Sequence, residues 1–305
     1  MTTPLQSQLI KSLAFAWLMG DNLAPRENRR QQILANIHRT KKEYCKVMGI
    51  LNVTPDSFHS ESRRTELDEC IKRGLEIWDL GADWLDIGGE STRPGAAPVD
   101  VKEELNRVIP VIESLKKLRP NGLISIDTRR AEVARKAIAA GAEMINDISG
   151  LSDPEMMNVV IETGCAVCIM HMQGEPEKMQ EGPKYSNCVE EVSSFLLEKA
   201  KQLIDNGHPR DLIIIDPGIG FGKLHDHNID LMKNIEKLNK SGFSTLLGVS
   251  RKSMIGNITG KTRTEDRLAG TLATSAFAFY NEVDIIRVHD IDENIDLMKV
   301  LVSLV

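Results

Sequence analysis

The sequence predicts an α/β chain: a (β/α)8 TIM barrel over residues 47–305, preceded by a partly helical N-terminal extension, residues 1–46. Three observations lead there. Short β-branched apolar runs alternate with amphipathic helical stretches, and the alternation occurs eight times. The runs are apolar almost throughout, as in strands buried on both faces of a parallel sheet. The repeat fills 259 residues, close to the roughly 250 typical of a closed barrel. A doubly wound open sheet is the alternative, and eight regular units are many for it.

The units follow in order. Strand Val47–Val53 precedes helical Glu66–Leu80, Trp84–Gly88 precedes Val101–Leu118, and Leu123–Asp127 precedes Arg130–Ala140. Met144–Ile148 leads to Glu155–Thr163, Ala166–His171 to Cys188–Asn206, and Leu212–Asp216 to Asn228–Asn239. Thr245–Val249 leads to Glu265–Tyr280, and Asp284–Val288 to Glu293–Val305. Each helical stretch repeats its apolar residues at three- and four-residue spacing. Before the repeat, Pro25-Arg26-Glu27 opens one more amphipathic helix, with Ile33, Leu34 and Ile37 on its apolar side.

Composition excludes several classes. With 41% hydrophobic and 27% charged residues the chain can bury a large core. The longest apolar run, Leu13–Met19, is seven residues, against the ~20 that a spanning helix needs, so no membrane association is expected. Gly20-Asp21-Asn22 is a poor signal-cleavage site. The net charge of −6 argues against a nucleic-acid partner; residues 1–46 carry +5 and the remainder −11, and the basic extension reads as a solvated helix face. Five cysteines, an odd and scattered set, point to a reducing cytoplasmic location.

The distribution of polar residues carries the function. Asn52, Asp86, Asp127, Asn146, His171, Asp216, Ser250 and the pair Arg287/His289 each stand near the C-terminal end of a predicted strand. In a barrel those ends converge on one pocket. Other patterns carry less. Gly218-x-Gly220-x-Gly222-Lys223 has three residues, not four, between its first glycine and Gly-Lys, and Leu224 follows where a phosphate loop has Ser or Thr. Cys165 and Cys168, three apart on a strand, face opposite sides and read as buried thiols. His225 and His227 read as solvated or capping residues.

Met48-Gly-Ile-Leu-Asn-Val-Thr-Pro-Asp-Ser-Phe58, Asp86-Ile-Gly-Gly-Glu-Ser-Thr-Arg-Pro-Gly95, Ser125-Ile-Asp-Thr128, Ile145-Asn-Asp-Ile-Ser149, Met170-His-Met-Gln-Gly174, Asp216-Pro-Gly-Ile-Gly-Phe-Gly-Lys223, Gly248-Val-Ser-Arg-Lys-Ser-Met254 and Ile286-Arg-Val-His289 together resemble the dihydropteroate synthase family. The resemblance runs from Met48 to His289, about four-fifths of the chain. It implies condensation of 6-hydroxymethyl-7,8-dihydropterin diphosphate with 4-aminobenzoate, through a dissociative Mg²⁺-assisted substitution that yields 7,8-dihydropteroate and diphosphate. In that family Asp127, Asn146, Asp216 and Lys252 hold the pterin, and Arg287 stacks on it. Their chemistry suits a heterocycle whose edge offers an amide, an amine and ring nitrogens. Asn52, Thr92, Arg93, Arg287 and His289 are implied for the diphosphate, with Asn52 the contact to Mg²⁺. Phe58, Thr92, Arg93, Pro94, Phe221, Lys252 and Ser253 are implied for 4-aminobenzoate. Catalytic roles fall to Asp127, Asp216, Lys252, Arg287 and His289.

The resemblance also implies sulfonamide binding and a homodimer, and it leaves open a fusion or association with an upstream folate-pathway enzyme. Two departures stand out. His59-Ser-Glu-Ser-Arg-Arg64 lacks the Ser-Asp-Gly-Gly that commonly follows the first motif. Arg129-Arg130 stands where small residues or Lys-Pro are frequent, which puts the start of the following helix in question. The rival readings are a methyltetrahydrofolate-corrinoid methyltransferase barrel, which has no use for the diphosphate and aminobenzoate sets, and a silent pterin-binding paralogue.

Overall fold

The computed structural model describes residues 27–40, 43–53, 63–91, 98–176 and 178–305. Eight parallel strands close in chain order: β1 Lys46–Asn52, β2 Trp84–Gly88, β3 Leu123–Asp127, β4 Met144–Asp147, β5 Ala166–Met170, β6 Ile213–Asp216, β7 Ser244–Leu247 and β8 Ile285–Val288. The ring is completed by β8 lying beside β1, with Val47 opposite Ile286. Around it run α2 Arg63–Asp79, α3 Val101–Leu118, α4 Ala131–Ala140, α5 Met156–Thr163, α6 Cys188–Asp205, α7 His225–Lys233, α8 Ile235–Asn239, α9 Ser253–Thr259, α10 Leu268–Tyr280 and α11 Ile291–Leu304. Helix α1 covers residues 27–35. All eight predicted strands are present.

Alternation along each strand divides the core in two, because successive side chains point to opposite faces. Outward-facing Val47, Leu85, Ile124, Val167 and Ile213 pack under the helices. Inward-facing Met48, Trp84, Leu123, Met144, Cys168 and Ile285 fill the barrel interior. Cys165 falls in the outer layer and Cys168 in the inner one, so the two thiols do face apart.

The residues before β1 close the N-terminal mouth. Ile33 and Ile37 join the interior cluster, and the Trp84 indole donates to the Asn36 carbonyl at 2.8 Å. Arg29 donates to the carbonyls of Asn121 and Gly122 and pairs with Glu143. His38 is held on both ring nitrogens, by the Asp211 carbonyl at 2.9 Å and the Ser244 hydroxyl at 2.6 Å. A mouth left open would expose the lowest inner side chains to water; α1 and the turn after it remove that surface.

The helices differ from expectation most clearly after β6 and β7. The stretch expected as Asn228–Asn239 starts at His225 and breaks into α7 and α8 at Asn234, whose side-chain amide donates back to the Asp230 carbonyl at 2.9 Å. Such local bonding competes with helix continuation. The helix expected from Glu265 begins as a 3₁₀ turn over Thr264–Arg267. Helix α9 was not anticipated; at seven residues it is too short for a periodic signal. Among the described residues no helix is long and apolar enough to cross a membrane.

Ile37 is fully buried in this closure. Ile37→Ala is expected to lower unfolding free energy by about 2–4 kcal/mol, read from urea denaturation, while the folded protein keeps its active-site affinities.

Candidate active site

The inner face becomes polar at the C-terminal ends of the strands. Two residues beyond Trp84, Ser125, Met144, Ile214 and Ile285 stand Asp86, Asp127, Asn146, Asp216 and Arg287, which share their inward direction. Arg287 Nε donates to Asp86 Oδ2 at 2.6 Å, and its Nη2 donates to Asp127 Oδ2 at 2.7 Å. The amide of Asn146 donates to the same Asp86 oxygen at 3.1 Å. Asp86 is fully buried and the Arg287 side chain is 19% exposed, so these charges depend on one another for what water would otherwise supply.

Asp216 and Lys252 form the opposite side. Asp216 Oδ1 accepts from the Gly218 amide at 2.7 Å. Lys252 Nζ donates to the Ile219 carbonyl at 2.5 Å and lies 4.4 Å from the centre of the Phe221 ring. Gly248 sits at the centre of the group. A Cβ there would stand 3.8 Å from Arg287 Cβ, 3.9 Å from Lys252 Nζ and 4.0 Å from Asp216 Oδ2. Any side chain at Gly248 would enter the space those groups enclose.

The aim of Lys252 is set by the residue before it. Arg251 has φ +59°, a left-handed conformation uncommon for a long side chain. Its amide donates to the Thr271 hydroxyl at 3.0 Å, its carbonyl accepts from Arg267 at 2.8 Å, and its guanidinium makes a two-pronged pair with Asp290. Four contacts therefore hold a strained turn whose product is the direction of Lys252.

Burial shapes the titration of the group. Burial pushes the Asp127 carboxyl up to about 7, against the pull of Arg287. Burial also raises Asp216, with Lys252 opposing. Lys252 is pushed down to about 8 by burial, with Asp216 holding it up. Burial works against the charge on Arg287 too, yet Asp86 and Asp127 outweigh it and the guanidinium stays charged. Asp86, Asp127 and Asp216 against Arg287 and Lys252 leave one excess formal negative charge when all are ionised.

The structure thus brings Asp127, Asn146, Asp216, Lys252 and Arg287 together. Phe221 is half-buried against Lys252, Ser253 is exposed at the start of α9, and Asn52 is exposed at the end of β1, next to β8. His289 Nδ1 lies 3.0 Å from the Ser250 hydroxyl, which also accepts from the His289 amide at 3.2 Å. Phe58, Thr92, Arg93 and Pro94 lie outside the described residues.

One strand end departs from the expected convergence. His171 turns away from the pocket toward Lys223, with its ring edge-on to Phe195 at 5.0 Å. Of the two histidines read as solvated or capping, His227 caps: its Nδ1 accepts from the Leu224 amide at 3.2 Å. The question raised by Arg129-Arg130 also resolves. Helix α4 starts at Ala131, whose amide is capped by Asp153 at 2.8 Å, and Arg130 is free to bind Glu90, Glu104 and the Val99 carbonyl. The bracing roles of Asp86 and Arg251 went unread, because their partners lie far along the chain.

Residues 48–289 match the family model described as Pterin binding enzyme, the same span over which the motifs run. The dihydropteroate synthase of Escherichia coli strain K12 is 44% identical over 255 residues, which are 84% of this chain and 90% of that one. A probable bifunctional folylpolyglutamate synthase/dihydropteroate synthase of Haloferax volcanii is 41% identical over 84% of this chain and 30% of its own longer one. The structure of Xanthomonas albilineans dihydropteroate synthase with 4-aminobenzoic acid superposes with a TM-score of 0.80 at 41% identity, covering 86% of this chain and 94% of that one. The same enzyme in complex with 7,8-dihydropteroate gives 0.77 at 38% identity, covering 87% and 95%. Fold, site and family match define a pterin-binding barrel enzyme. Within that class, the chain belongs to the dihydropteroate synthase family.

Asp86→Asn keeps the shape of the side chain and removes the charge that orients Arg287 and Asn146. It is expected to lower kcat/KM by roughly ten- to hundredfold through misplacement, with an unchanged near-ultraviolet circular dichroism spectrum.

Proposed function

We propose that the chain condenses 6-hydroxymethyl-7,8-dihydropterin diphosphate with 4-aminobenzoate, giving 7,8-dihydropteroate and diphosphate. The observation that carries this reading is the group of buried Asp127, Asn146 and Asp216 with half-buried Lys252 and Arg287 around Gly248 at the mouth of the barrel. Such a group is costly to bury for structure alone and suits a flat, polar ring. Asp127 keeps Oδ1 as an acceptor for ring N–H groups, since Arg287 occupies Oδ2. Asn146 likewise keeps its carbonyl oxygen, because its amide nitrogen is engaged by Asp86. The guanidinium of Arg287, fixed by two carboxylates, offers a planar face for stacking.

The reaction needs little beyond orientation and electrostatics. An arylamine is a modest nucleophile, so departure of the diphosphate leads. Arg287, His289 and Asn52 would stabilise the leaving group, while Asp127 and Asp216 favour positive charge growing on the pterin methylene. Phe221, Lys252 and Ser253, with Phe58, Thr92, Arg93 and Pro94, would hold 4-aminobenzoate in line. Magnesium, when bound, supplies positive charge to the diphosphate. Asn52, a single amide oxygen at the exposed end of β1, is the residue that would contact it. Among the described residues no group of three or more His, Cys, Asp or Glu could hold an ion unaided, a donor set that fits a metal carried largely on substrate phosphates.

A homodimer fits the large apolar side chains exposed on the adjacent helices α10 and α11, among them Tyr280, Val300 and Leu304. A cytoplasmic location fits five unpaired cysteines. Association with another folate-pathway activity fits the two-activity organisation of the Haloferax relative.

The direct test is product formation with and without Mg²⁺ by the full chain and by Asn52→Ala, with pterin diphosphate binding measured for each. Metal-dependent dihydropteroate, strongly reduced in the variant, is the expected result. Binding without turnover would favour a silent paralogue, and absence of binding would contradict the pterin reading. Titration adds a second check. As pH falls through about 7, Asp127 gains a proton and loses acceptor capacity. Affinity for a pterin lacking the diphosphate should then decline toward about tenfold per pH unit, the slope of one proton. Asp127→Asn should abolish that decline, and calorimetric titrations across the range would show it.

A further inference from the structure

The glycine-rich run that ends in Lys223 has the wrong spacing for a phosphate loop, and its lysine serves another purpose. The Lys223 side chain is buried. Its Nζ donates to the Phe221 carbonyl at 2.9 Å and the His171 carbonyl at 3.0 Å, and it lies 3.0 Å from His171 Nδ1. Three acceptors match the three protons of the amine's charged form, and burial pushes the lysine down to about 7. Burial and the neighbouring lysine drive His171 down to about 3, so the ring is neutral and Nδ1 accepts.

The loop around this lysine is held along its whole length. Five successive carbonyls each accept a side-chain hydrogen bond: Ile219 from Lys252 at 2.5 Å, Gly220 from Gln180 at 2.7 Å, Phe221 from Lys223, Gly222 from the Tyr185 hydroxyl at 2.7 Å, and Lys223 from Asn228 at 3.3 Å. The loop also lies hard against the chain leaving β5. A Cβ on Gly218 would stand 2.0 Å from the His171 carbonyl oxygen, and one on Gly222 would stand 2.2 Å from that of Gln173. Both glycines have positive φ, +66° and +56°. Only glycine allows so close an approach in that conformation.

We infer that Lys223 is a positioning residue: its buried side-chain amine ties the β6–α7 loop to the end of β5 and so fixes Phe221 against Lys252. This rests on the reading that Phe221 and Lys252 line the 4-aminobenzoate pocket. The tether directs the Lys223 Nζ to acceptors within the protein, so its role runs through Phe221. A guanidinium cannot present three protons as a tripod, so charge alone does not replace the lysine.

The test uses the full chain with Lys223→Met, Lys223→Arg, the milder Tyr185→Phe, and Phe221→Ala as a control. Hydrogen exchange over residues 217–223 is read together with KM for each substrate. Lys223→Met and Lys223→Arg are expected to speed exchange in the loop and raise KM for 4-aminobenzoate roughly tenfold, with KM for the pterin diphosphate within about threefold of wild type. Tyr185→Phe should act in the same direction by about threefold. If Lys223 variants fail to fold, Tyr185→Phe supports or overturns the proposal on the same two readouts. Wild-type exchange in folded variants overturns the tether. Faster exchange with an unmoved KM, in a protein whose Phe221→Ala does raise it, overturns the positioning role. If Phe221→Ala leaves KM for 4-aminobenzoate unmoved, the pocket reading fails, and exchange alone then supports or overturns the tether.

Discussion

Arg287, its side chain 19% exposed, lies between Asp86 and Asp127 at the top of a barrel whose interior below them is apolar. Asp86 and Asp127 are buried, so loss of their partner is costly: an unpaired buried charge costs about 3–5 kcal/mol. A buried pair of this kind is a weak source of net stability, and its value lies in geometry. Because the guanidinium is forked and planar, two carboxylates on neighbouring strands fix its plane. Asp86 also takes the amide of Asn146, so one residue sets the orientation of two others on β4 and β8. The recess around Gly248 inherits its shape from that arrangement.

The remaining groups are braced from outside the barrel. Lys252 is aimed by a left-handed Arg251, itself held by Thr271, Arg267 and Asp290. His289 is held by Ser250 across the gap between the last two strands. The loop beyond β6 is secured carbonyl by carbonyl. At the opposite end α1 and its turn seal the barrel with apolar contacts, side-chain hydrogen bonds and the Arg29–Glu143 ion pair. The division follows the barrel: one end is free to carry chemistry because the other carries closure.

Much of this was legible in the chain. The β-branched runs located all eight strands, and polar residues at their ends marked the candidate site, since the twofold alternation of a strand makes the inward direction calculable. What was not legible depends on contacts between distant residues. His171 reads as a pocket residue until Lys223, 52 positions later, is seen to take it away. Arg130 reads as an awkward start to a helix until Glu90 and Glu104, 40 and 26 positions earlier, are seen to claim it. Asp86 stood among the polar strand ends, but nothing local distinguishes a carboxylate that braces an arginine from one that meets a ligand. The break at Asn234 and the short α9 fall below what periodicity resolves.

The central claim is that the fixed plane of Arg287, and not merely its charge, builds the pterin site. Calorimetric binding of pterin diphosphate to Arg287→Lys tests it most directly, because lysine keeps the positive charge and gives up the fork. Affinity lower by roughly tenfold or more, in a protein that still folds, is the expected result. Wild-type affinity in that variant would contradict it.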